Sequence, residues 1–183
     1  MSLKREVTTL GLSHQNLPGK LEDRLGPITL TALGNLDLLG PSKTALFCSV
    51  RAPGNVILRA HDAIRGMRDE GITVISGFHS PIEKDCLKIL LRGKQPIIIC
   101  LAREIESMRV PANCKIAFDA GRLLFLSPFT KKPKRVTQDS ALRRNEVVAA
   151  LADEAYIPHI SPGGQIAKIV DLLKKWHVSF VPI

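Results

Sequence analysis

The sequence predicts an α/β fold: a Rossmann-like, doubly wound and mostly parallel sheet with helices on both faces. Three observations support this prediction. Short, continuous apolar runs recur along the chain, which is typical of strands buried on both faces. Segments with helical periodicity and capping residues separate these runs. The 183 residues are 45% apolar and 23% charged, a globular composition in a chain long enough to enclose a core.

The first part of the chain is the least regular. Glycines and prolines interrupt residues 1–41, where only one short strand is predicted, at 28–33. We therefore predict two parts: an N-terminal segment, 1–41, packed on the core, and a Rossmann-like domain, 42–183.

Strands and helices alternate from residue 43 onward. Asn55 is the expected N-cap of the first helix of this part. Ser80 is the expected N-cap of the next helix, with Pro81 in the first position and Glu83 as the capping-box partner. Strands are predicted at 44–50, 72–76, 96–102, 122–126, 155–160 and 178–181, and helices at 56–70, 81–91, 141–152 and 163–176.

The charge of the chain favours a polyanionic partner. Lysine and arginine total 26 against 17 acidic residues, which gives a formal net charge of +9. Four of these cations, Lys131, Lys132, Lys134 and Arg135, stand together in one polar loop after the predicted fourth strand. Dense positive charge of this kind suits a phosphate backbone, because several side chains can neutralise phosphates at once.

Glycine, basic and polar residues follow the predicted strands, at the edge where parallel sheets bind their ligands. Glycines let a ligand approach the backbone, and free N–H groups at helix starts attract anions. We therefore predict a phosphate or nucleic-acid site formed by Arg51, Gly54, Gly77, Ser80, Lys131, Lys132, Lys134, Arg135, Arg143, Arg144, Asn145, Gly163 and Gly164.

Two of these residues stand near the predicted start of a helix. Arg143 and Arg144 would lie in the first turn of the helix expected from about Ala141, where positive charge opposes the helix dipole. A bound anion would offset that cost. Ordinary helix caps and a solvated basic loop are the alternative interpretation of the same residues.

The sequence carries no motif that indicates catalysis or cofactor binding. It has no zinc-protease helix, no phosphate-binding P-loop, no kinase signature and no recognisable catalytic triad. The four cysteines form no C-x-x-C pair, and three lie in apolar runs, so we predict reduced core residues and no metal site. No apolar run is long enough to span a membrane, and no signal-peptide core is present. We expect a cytoplasmic binding protein that is not an enzyme and holds no cofactor.

Taken in order, these segments resemble the DprA/Smf family of DNA-processing proteins. The most specific match is RRNEVVAALADEAYIP, from Arg143 to Pro158, against the family pattern R-R-N-R-I-I-A-G-L-S. CSVRAPGN lies where the family has a G-S/T-R turn, and GITVISGFHSPIEKD lies where it has V-S-G followed by G-I-D. The resemblance covers nearly the whole chain. The chain departs from the family at Cys48, which replaces a glycine, and at Leu87, which replaces a histidine.

The resemblance implies a non-catalytic binder of single-stranded DNA, of the recombination-mediator type, that acts in DNA uptake or transformation. It implies phosphate contacts through Arg51, Arg143, Arg144 and the lysine loop. It also implies a RecA-type recombinase as partner, and self-association.

Alternatives to DNA binding stay open. One is a nucleotide-sensing domain that binds a small nucleotide in the same pocket. Another is a degenerate relative of the lysine-decarboxylase-like phosphoribohydrolases, whose P-G-G-x-G-T-x-x-E motif is matched here only at Pro162, Gly163 and Gly164, with Val170 in place of the glutamate. A scaffold that binds protein is the last.

Overall fold

The computed structural model describes residues 6–11, 15, 17–106, 108–131 and 136–182. They form one eight-stranded sheet with helices on both of its faces, which confirms the predicted fold class. The strands are β1 (Thr8–Leu10), β2 (Leu30–Gly34), β3 (Lys43–Cys48), β4 (Thr73–Ser76), β5 (Ile97–Cys100), β6 (Leu123–Ser127), β7 (Glu154–His159) and β8 (Ser179–Pro182). The helices are α1 (Gly19–Leu25), α2 (Gly54–Asp69), α3 (Pro81–Leu91), α4 (Lys115–Asp119), α5 (Gln138–Leu151) and α6 (Gln165–Lys175).

The order of the strands is that of a doubly wound sheet. From edge to edge the order is β1-β2-β6-β5-β4-β3-β7-β8. The six strands from β6 to β8 are parallel to their neighbours, and β2 pairs with both β1 and β6 in the antiparallel sense. The chain builds outward from β3 in one direction through β4, β5 and β6, and then returns to place β7 on the other side of β3. The strand order therefore reverses between β3 and β7, which is where open α/β sheets form their ligand crevice.

Each face of the sheet carries its own hydrophobic core. On one face the core unites buried side chains of α1, α5 and α6, with Val147, Ile169 and Leu173 fully buried. On the other face the core unites α2, α3 and α4, with Ile64, Leu90 and Phe118 buried against the sheet. The strands between them are apolar on both sides, which explains why they appear in the sequence as continuous runs.

The starts of α2 and α3 differ in how they are capped. The predicted capping box of α3 is confirmed: the Ser80 hydroxyl accepts from the Glu83 N–H, and the Glu83 carboxylate accepts from the Ser80 N–H. The prediction of Asn55 as the N-cap of α2 is wrong, because Pro53 holds that position and Asn55 is already helical. Since Pro53 has no side-chain acceptor, no side chain caps the start of α2.

The N-terminal residues contribute two strands and a helix. The strand predicted at 28–33 is present as β2, but β1 and α1 are not evident from the sequence pattern. Arg24 fastens α1 beneath α5, where its guanidinium donates to the carbonyl oxygens of Ala150 and Ala152 at 2.8 Å each. In the part of the chain that the structure describes, no helix has the length and apolar character needed to cross a membrane.

Candidate functional site

A cleft of about 560 Å³ lies at the carboxyl ends of β3, β4 and β7, where the strand order reverses. We call it the switch-point cleft. Its walls come from the turn after β3, the turn before α3 and the first residues of α5 and α6. It is lined by Cys48, Ser49, Val50, Arg51, His79, Ser80, Glu83, Val136, Thr137, Gln138, Ala141, Arg144, Asn145, Ser161, Gly164, Gln165 and Ile166.

Glu83 holds one wall of the cleft together. One carboxylate oxygen accepts from the Cys48 N–H at 2.9 Å, and the other accepts from the N–H groups of His79 at 2.8 Å and Ser80 at 3.2 Å. The side chain is buried, and three hydrogen bonds satisfy a carboxylate that would otherwise be costly to bury. Glu83 therefore caps α3 and also ties the end of β3 to the turn that precedes α3.

A second set of hydrogen bonds closes the wall between β3 and β7. The Ser49 N–H donates to the His159 carbonyl oxygen at 3.1 Å, and the Ser49 hydroxyl accepts from the Ser161 N–H at 2.9 Å. The pairing register of the two strands shifts just before this point, in the interval that contains Pro158. Because proline has no N–H to give to the ladder, the strands part there and bend at the edge of the cleft.

A third tie joins the starts of α5 and α6. The Gln165 side-chain amide donates to the Gln138 carbonyl oxygen at 3.0 Å. At α5, Thr137 and Ser140 form a capping box. At α6 the N-cap is Gly164, and no side chain caps the helix. The first residues of α6 line the cleft, and no side chain accepts a hydrogen bond from their N–H groups as a cap.

Arg144 is the buried cation of the switch-point cleft. It is 5% exposed, and within the described residues it makes one hydrogen bond, from Nε to the Asn145 side-chain oxygen at 2.8 Å. None of the ion pairs among those residues includes it. Burial of a charge is expensive unless the charge is paired and hydrogen-bonded. The cleft therefore contains a positive charge that no carboxylate of the described residues approaches within ion-pair distance.

Gly77, at the end of β4, makes room for this side chain. A Cβ built on Gly77 would overlap the guanidinium of Arg144. The next residue, Phe78, has φ of 47°, an unusual conformation for an aromatic residue, and its N–H donates to the Ser76 hydroxyl. The turn after β4 is thus shaped around Arg144, and such local strain often accompanies a functional site.

Two buried thiols lie around the cleft. Burial raises the pKa of Cys48 to about 12, and the Glu83 charge acts in the same direction. Burial also raises the pKa of Cys100 to about 12, although the Arg144 charge acts against it. Both thiols are protonated at neutral pH, so neither is a nucleophile, and Cys48 lines the cleft as a neutral group.

A comparison with protein families shows the family of this chain. A family model described as DNA recombination-mediator protein A matches residues 8–160. The chain belongs to this family. The lining residues of the switch-point cleft up to Asn145 lie within the matched residues, whereas Ser161, Gly164, Gln165 and Ile166 follow them. No curated protein sequence matches the chain significantly.

Solved structures share the fold of this member of the DNA recombination-mediator protein A family. DNA processing protein A from Helicobacter pylori, described for its unique single-stranded DNA binding mode, superposes with a TM-score of 0.78 at 22% identity, over 100% of this chain and 82% of that chain. DNA processing protein A from Streptococcus pneumoniae superposes with a TM-score of 0.80 at 17% identity, over 97% of this chain and 63% of that chain. The molybdenum cofactor carrier protein from Chlamydomonas reinhardtii shares the fold more distantly, with a TM-score of 0.51 at 13% identity, over 77% of this chain and 75% of that chain.

The structure brings five of the predicted site residues of this family member together. Arg51, Ser80, Arg144, Asn145 and Gly164 line the switch-point cleft, Arg51 as an exposed side chain and Arg144 as a buried one. Gly77 does not line it but contacts the guanidinium that does.

Other predicted residues lie apart from this group. Gly54, Gly163 and Lys131 are exposed and do not line the cleft. Gly163 has φ of +67°, so the backbone conformation of the turn before α6 favours glycine at this position. Lys132, Lys134 and Arg135 lie outside the described residues.

The predicted helix boundary near the two arginines is wrong. α5 begins at Gln138 and not near Ala141, because Thr137 and Ser140 form its capping box. Arg143 and Arg144 therefore lie in the second turn, and the argument from an opposed helix dipole does not apply to them. They also point to different surroundings: Arg143 donates to Glu146 at 3.0 Å and does not line the cleft.

Several lining residues were not predicted from the sequence. Val50 and Val136 are exposed apolar side chains at the mouth, 66% and 53% exposed. Gln138 and Gln165 tie two helix starts that are far apart in the sequence. Glu83 was predicted only as a cap, and its bond to Cys48 depends on tertiary contact. No local pattern in the sequence marks such pairs.

Proposed function

We propose that this protein binds single-stranded DNA without catalysing a reaction on it, and that a phosphate of the strand contacts Arg144 in the switch-point cleft. One observation carries the proposal: Arg144 is a nearly fully buried cation that meets no carboxylate among the described residues. Family membership and the formal charge of +9 also support DNA binding.

The chemistry of Arg144 suits phosphate. Its guanidinium is planar and offers several donors in a fixed fork, which matches two phosphate oxygens at once. Asn145 accepts from Nε and so holds the plane of the guanidinium, and no described residue accepts from the two terminal nitrogens. The low dielectric of a buried position strengthens this interaction relative to an exposed arginine.

The mouth of the cleft suits the rest of a nucleotide chain. Arg51 is exposed there and adds a second positive charge. Val50 and Val136 present apolar surface beside it, which fits contact with sugars and bases of any sequence. We therefore expect recognition of the strand with little dependence on base identity.

The absence of catalysis is also part of the proposal. Glu83 is the lining carboxylate of the cleft, and three backbone N–H groups already occupy its two oxygens. A carboxylate held in this way is poorly placed to take a proton from a ligand. This arrangement supports binding over chemistry at the site.

The test is a titration of an internally labelled, 5′-phosphorylated oligo-dT against the purified protein at several salt concentrations. We expect affinity that falls steeply with salt, and a preference for single strands over duplex. Arg144→Met should weaken binding and lower the slope of log affinity against log salt by roughly 0.7, the value for one phosphate contact on a single strand.

Arg143→Met is the matched control. Arg143 is the neighbouring arginine on the same helix, but it pairs with Glu146 outside the cleft. Equal losses in the two variants would show that binding depends on overall charge and not on the cleft. No binding of oligo-dT to the wild-type protein at low salt would contradict the proposed function.

We extend the proposal to a recombination-mediator role, with a RecA-type recombinase as partner and with self-association of the chain. The description of the matched family supports the first part. A strand-loading assay, in which the protein helps a recombinase displace a single-strand-binding protein, tests it. Light scattering at several protein concentrations tests self-association.

A further inference from the structure

We propose that the switch-point cleft receives a terminal phosphate monoester of a nucleotide, end on, in preference to an internal phosphodiester. The inference rests on the proposed function, because it names which part of a nucleotide chain reaches Arg144. The phosphate can come from two sources: the end of a DNA strand or a free mononucleotide.

The first observation is the depth of Arg144. The side chain is 5% exposed and packs over Gly77 at the end of β4. A ligand must therefore enter the cleft to reach the guanidinium. An internal phosphodiester brings a chain on both sides of the phosphate, whereas a terminal phosphate brings a chain on one side only.

The second observation is that hydrogen bonds join neighbouring elements on three sides of the cleft. Glu83 ties the end of β3 to the start of α3. Ser49 ties the ends of β3 and β7. Gln165 ties the starts of α6 and α5. A continuous DNA strand that contacts Arg144 through an internal phosphate must both enter and leave the cleft. Because these hydrogen bonds join the surrounding elements, the cleft is better suited to the end of a strand.

The third observation concerns charge. A phosphate monoester carries about −1.5 to −2 charges at neutral pH and three free oxygens, whereas a diester carries −1 and two. Arg144 offers its terminal nitrogens, and the start of α6 offers N–H groups that no side chain caps. These donors belong to α5 and α6, and together they match the additional charge and oxygen of a monoester.

The experiment compares three internally labelled oligo-dT molecules that differ only at their ends: 5′-phosphate, 3′-phosphate and hydroxyl at both ends. We expect a phosphorylated strand to bind about tenfold tighter than the hydroxyl strand, as one additional charge-assisted interaction provides. Thymidine monophosphate should compete for the cleft, and thymidine should not.

Two variants keep the test independent of folding defects. Arg144→Met removes the charge, and Gly77→Ala keeps it but displaces the guanidinium, since the added Cβ occupies its place. Both variants should lose the preference for a terminal phosphate, and thermal melting reports whether each is folded. Arg143→Met should keep the preference.

The outcomes separate this inference from the proposed function. Equal affinity for all three strands, with Arg144→Met weakening all of them, would overturn the inference and leave single-strand binding in place. Failure of all strands to bind, together with a melting-temperature rise from thymidine monophosphate that Arg144→Met abolishes, would support a terminal phosphate from a free nucleotide and overturn the DNA function. Absence of binding to every strand and nucleotide would overturn both.

Discussion

Two buried cations lie at opposite ends of the central strands, and they differ in their partners. Lys43 is the first residue of β3, at the amino end of the sheet, and it is 1% exposed. Arg144 lies at the other end, in the switch-point cleft, and is 5% exposed. Burial alone does not distinguish the two side chains.

The surroundings of Lys43 supply its ammonium group with hydrogen-bond acceptors. Its Nζ donates to the carbonyl oxygens of Leu39 and Pro41, and its backbone N–H donates to the Asp153 carboxylate at 2.8 Å. Asp153 in turn pairs with Lys20 of α1. Lys43 therefore fastens the turn before β3 and the N-terminal segment to the sheet, and this role needs no ligand.

The guanidinium of Arg144 has fewer hydrogen-bond acceptors, since the described residues offer it only the Asn145 side-chain oxygen. The comparison teaches that the partner set of a buried cation, and not its burial, separates a structural residue from a candidate ligand contact. It also yields predictions, because each cation can be replaced by methionine, which is unbranched and uncharged.

The largest expected effect is on DNA affinity. Arg144→Met should weaken binding of phosphorylated oligo-dT by roughly 100-fold, as expected for loss of one partner of a buried charged pair. Lys43→Met should leave the affinity unchanged, because Lys43 lies at the opposite end of β3. Fluorescence anisotropy at fixed salt measures both. Equal losses would remove the distinction between the two cations.

The second effect is on stability, and it should fall on the other residue. Lys43→Met leaves the buried carbonyl oxygen of Leu39 and the partly buried one of Pro41 without their donor, which should cost about 1–3 kcal/mol of unfolding free energy. Arg144→Met removes an unpaired buried charge and should leave the ligand-free protein as stable or more stable. Urea denaturation of the three proteins compares them, and a destabilised Arg144→Met would argue for a structural role.

The third effect is a pH dependence of the Lys43 contribution. Burial, and then the nearby charge of Lys20, lower the pKa of Lys43 to about 8, although Asp153 acts against them. Between pH 8 and the ordinary value of 10.5, the unfolded chain binds more protons at this site than the folded chain does. Stability should therefore rise with pH in this window, by at most about 1.4 kcal/mol per pH unit.

The Lys43→Met variant isolates that contribution. Buried thiols work in the opposite sense above pH 9, because the raised pKa values of Cys48, Cys86 and Cys100 favour the unfolded chain as pH rises. The thiols are common to wild type and variant. The difference in unfolding free energy between the two proteins should therefore grow from pH 8 to 10, and a constant difference would refute the lysine assignment.

The smallest expected effect belongs to Arg143. Its ion pair with Glu146 is partly exposed, and pairs of this kind contribute little. Arg143→Met should change the unfolding free energy by less than about 0.5 kcal/mol and the affinity for oligo-dT by less than roughly threefold. A loss as large as that of Arg144→Met would place Arg143 in the binding site as well.

Much of the fold could be predicted from the sequence, because the strands buried on both faces are continuous apolar runs and α3 carries its capping box in adjacent residues. The first two elements could not. β1 has three residues, and α1 has no side-chain N-cap, so neither leaves a local signal. Their positions depend on contacts with β2 and α5.

The candidate site could be predicted in place but not in detail. The carboxyl ends of the strands were the expected location, and Arg144 and Asn145 were among the expected residues. The sequence could not separate Arg143 from Arg144, because one residue of helical rotation sends one side chain to Glu146 and the other over Gly77. It also could not reveal hydrogen bonds such as that between Gln138 and Gln165, which join distant parts of the chain.

The most direct test of the account is thermal melting of wild type and Arg144→Met with and without phosphorylated oligo-dT. We propose that Arg144 is a buried charge whose partner is an anionic ligand. We expect the oligonucleotide to raise the melting temperature of wild type through mass action, and to raise that of the variant, which is at least as stable alone, by much less. A variant that melts earlier alone but is stabilised by the oligonucleotide as much as wild type would contradict it.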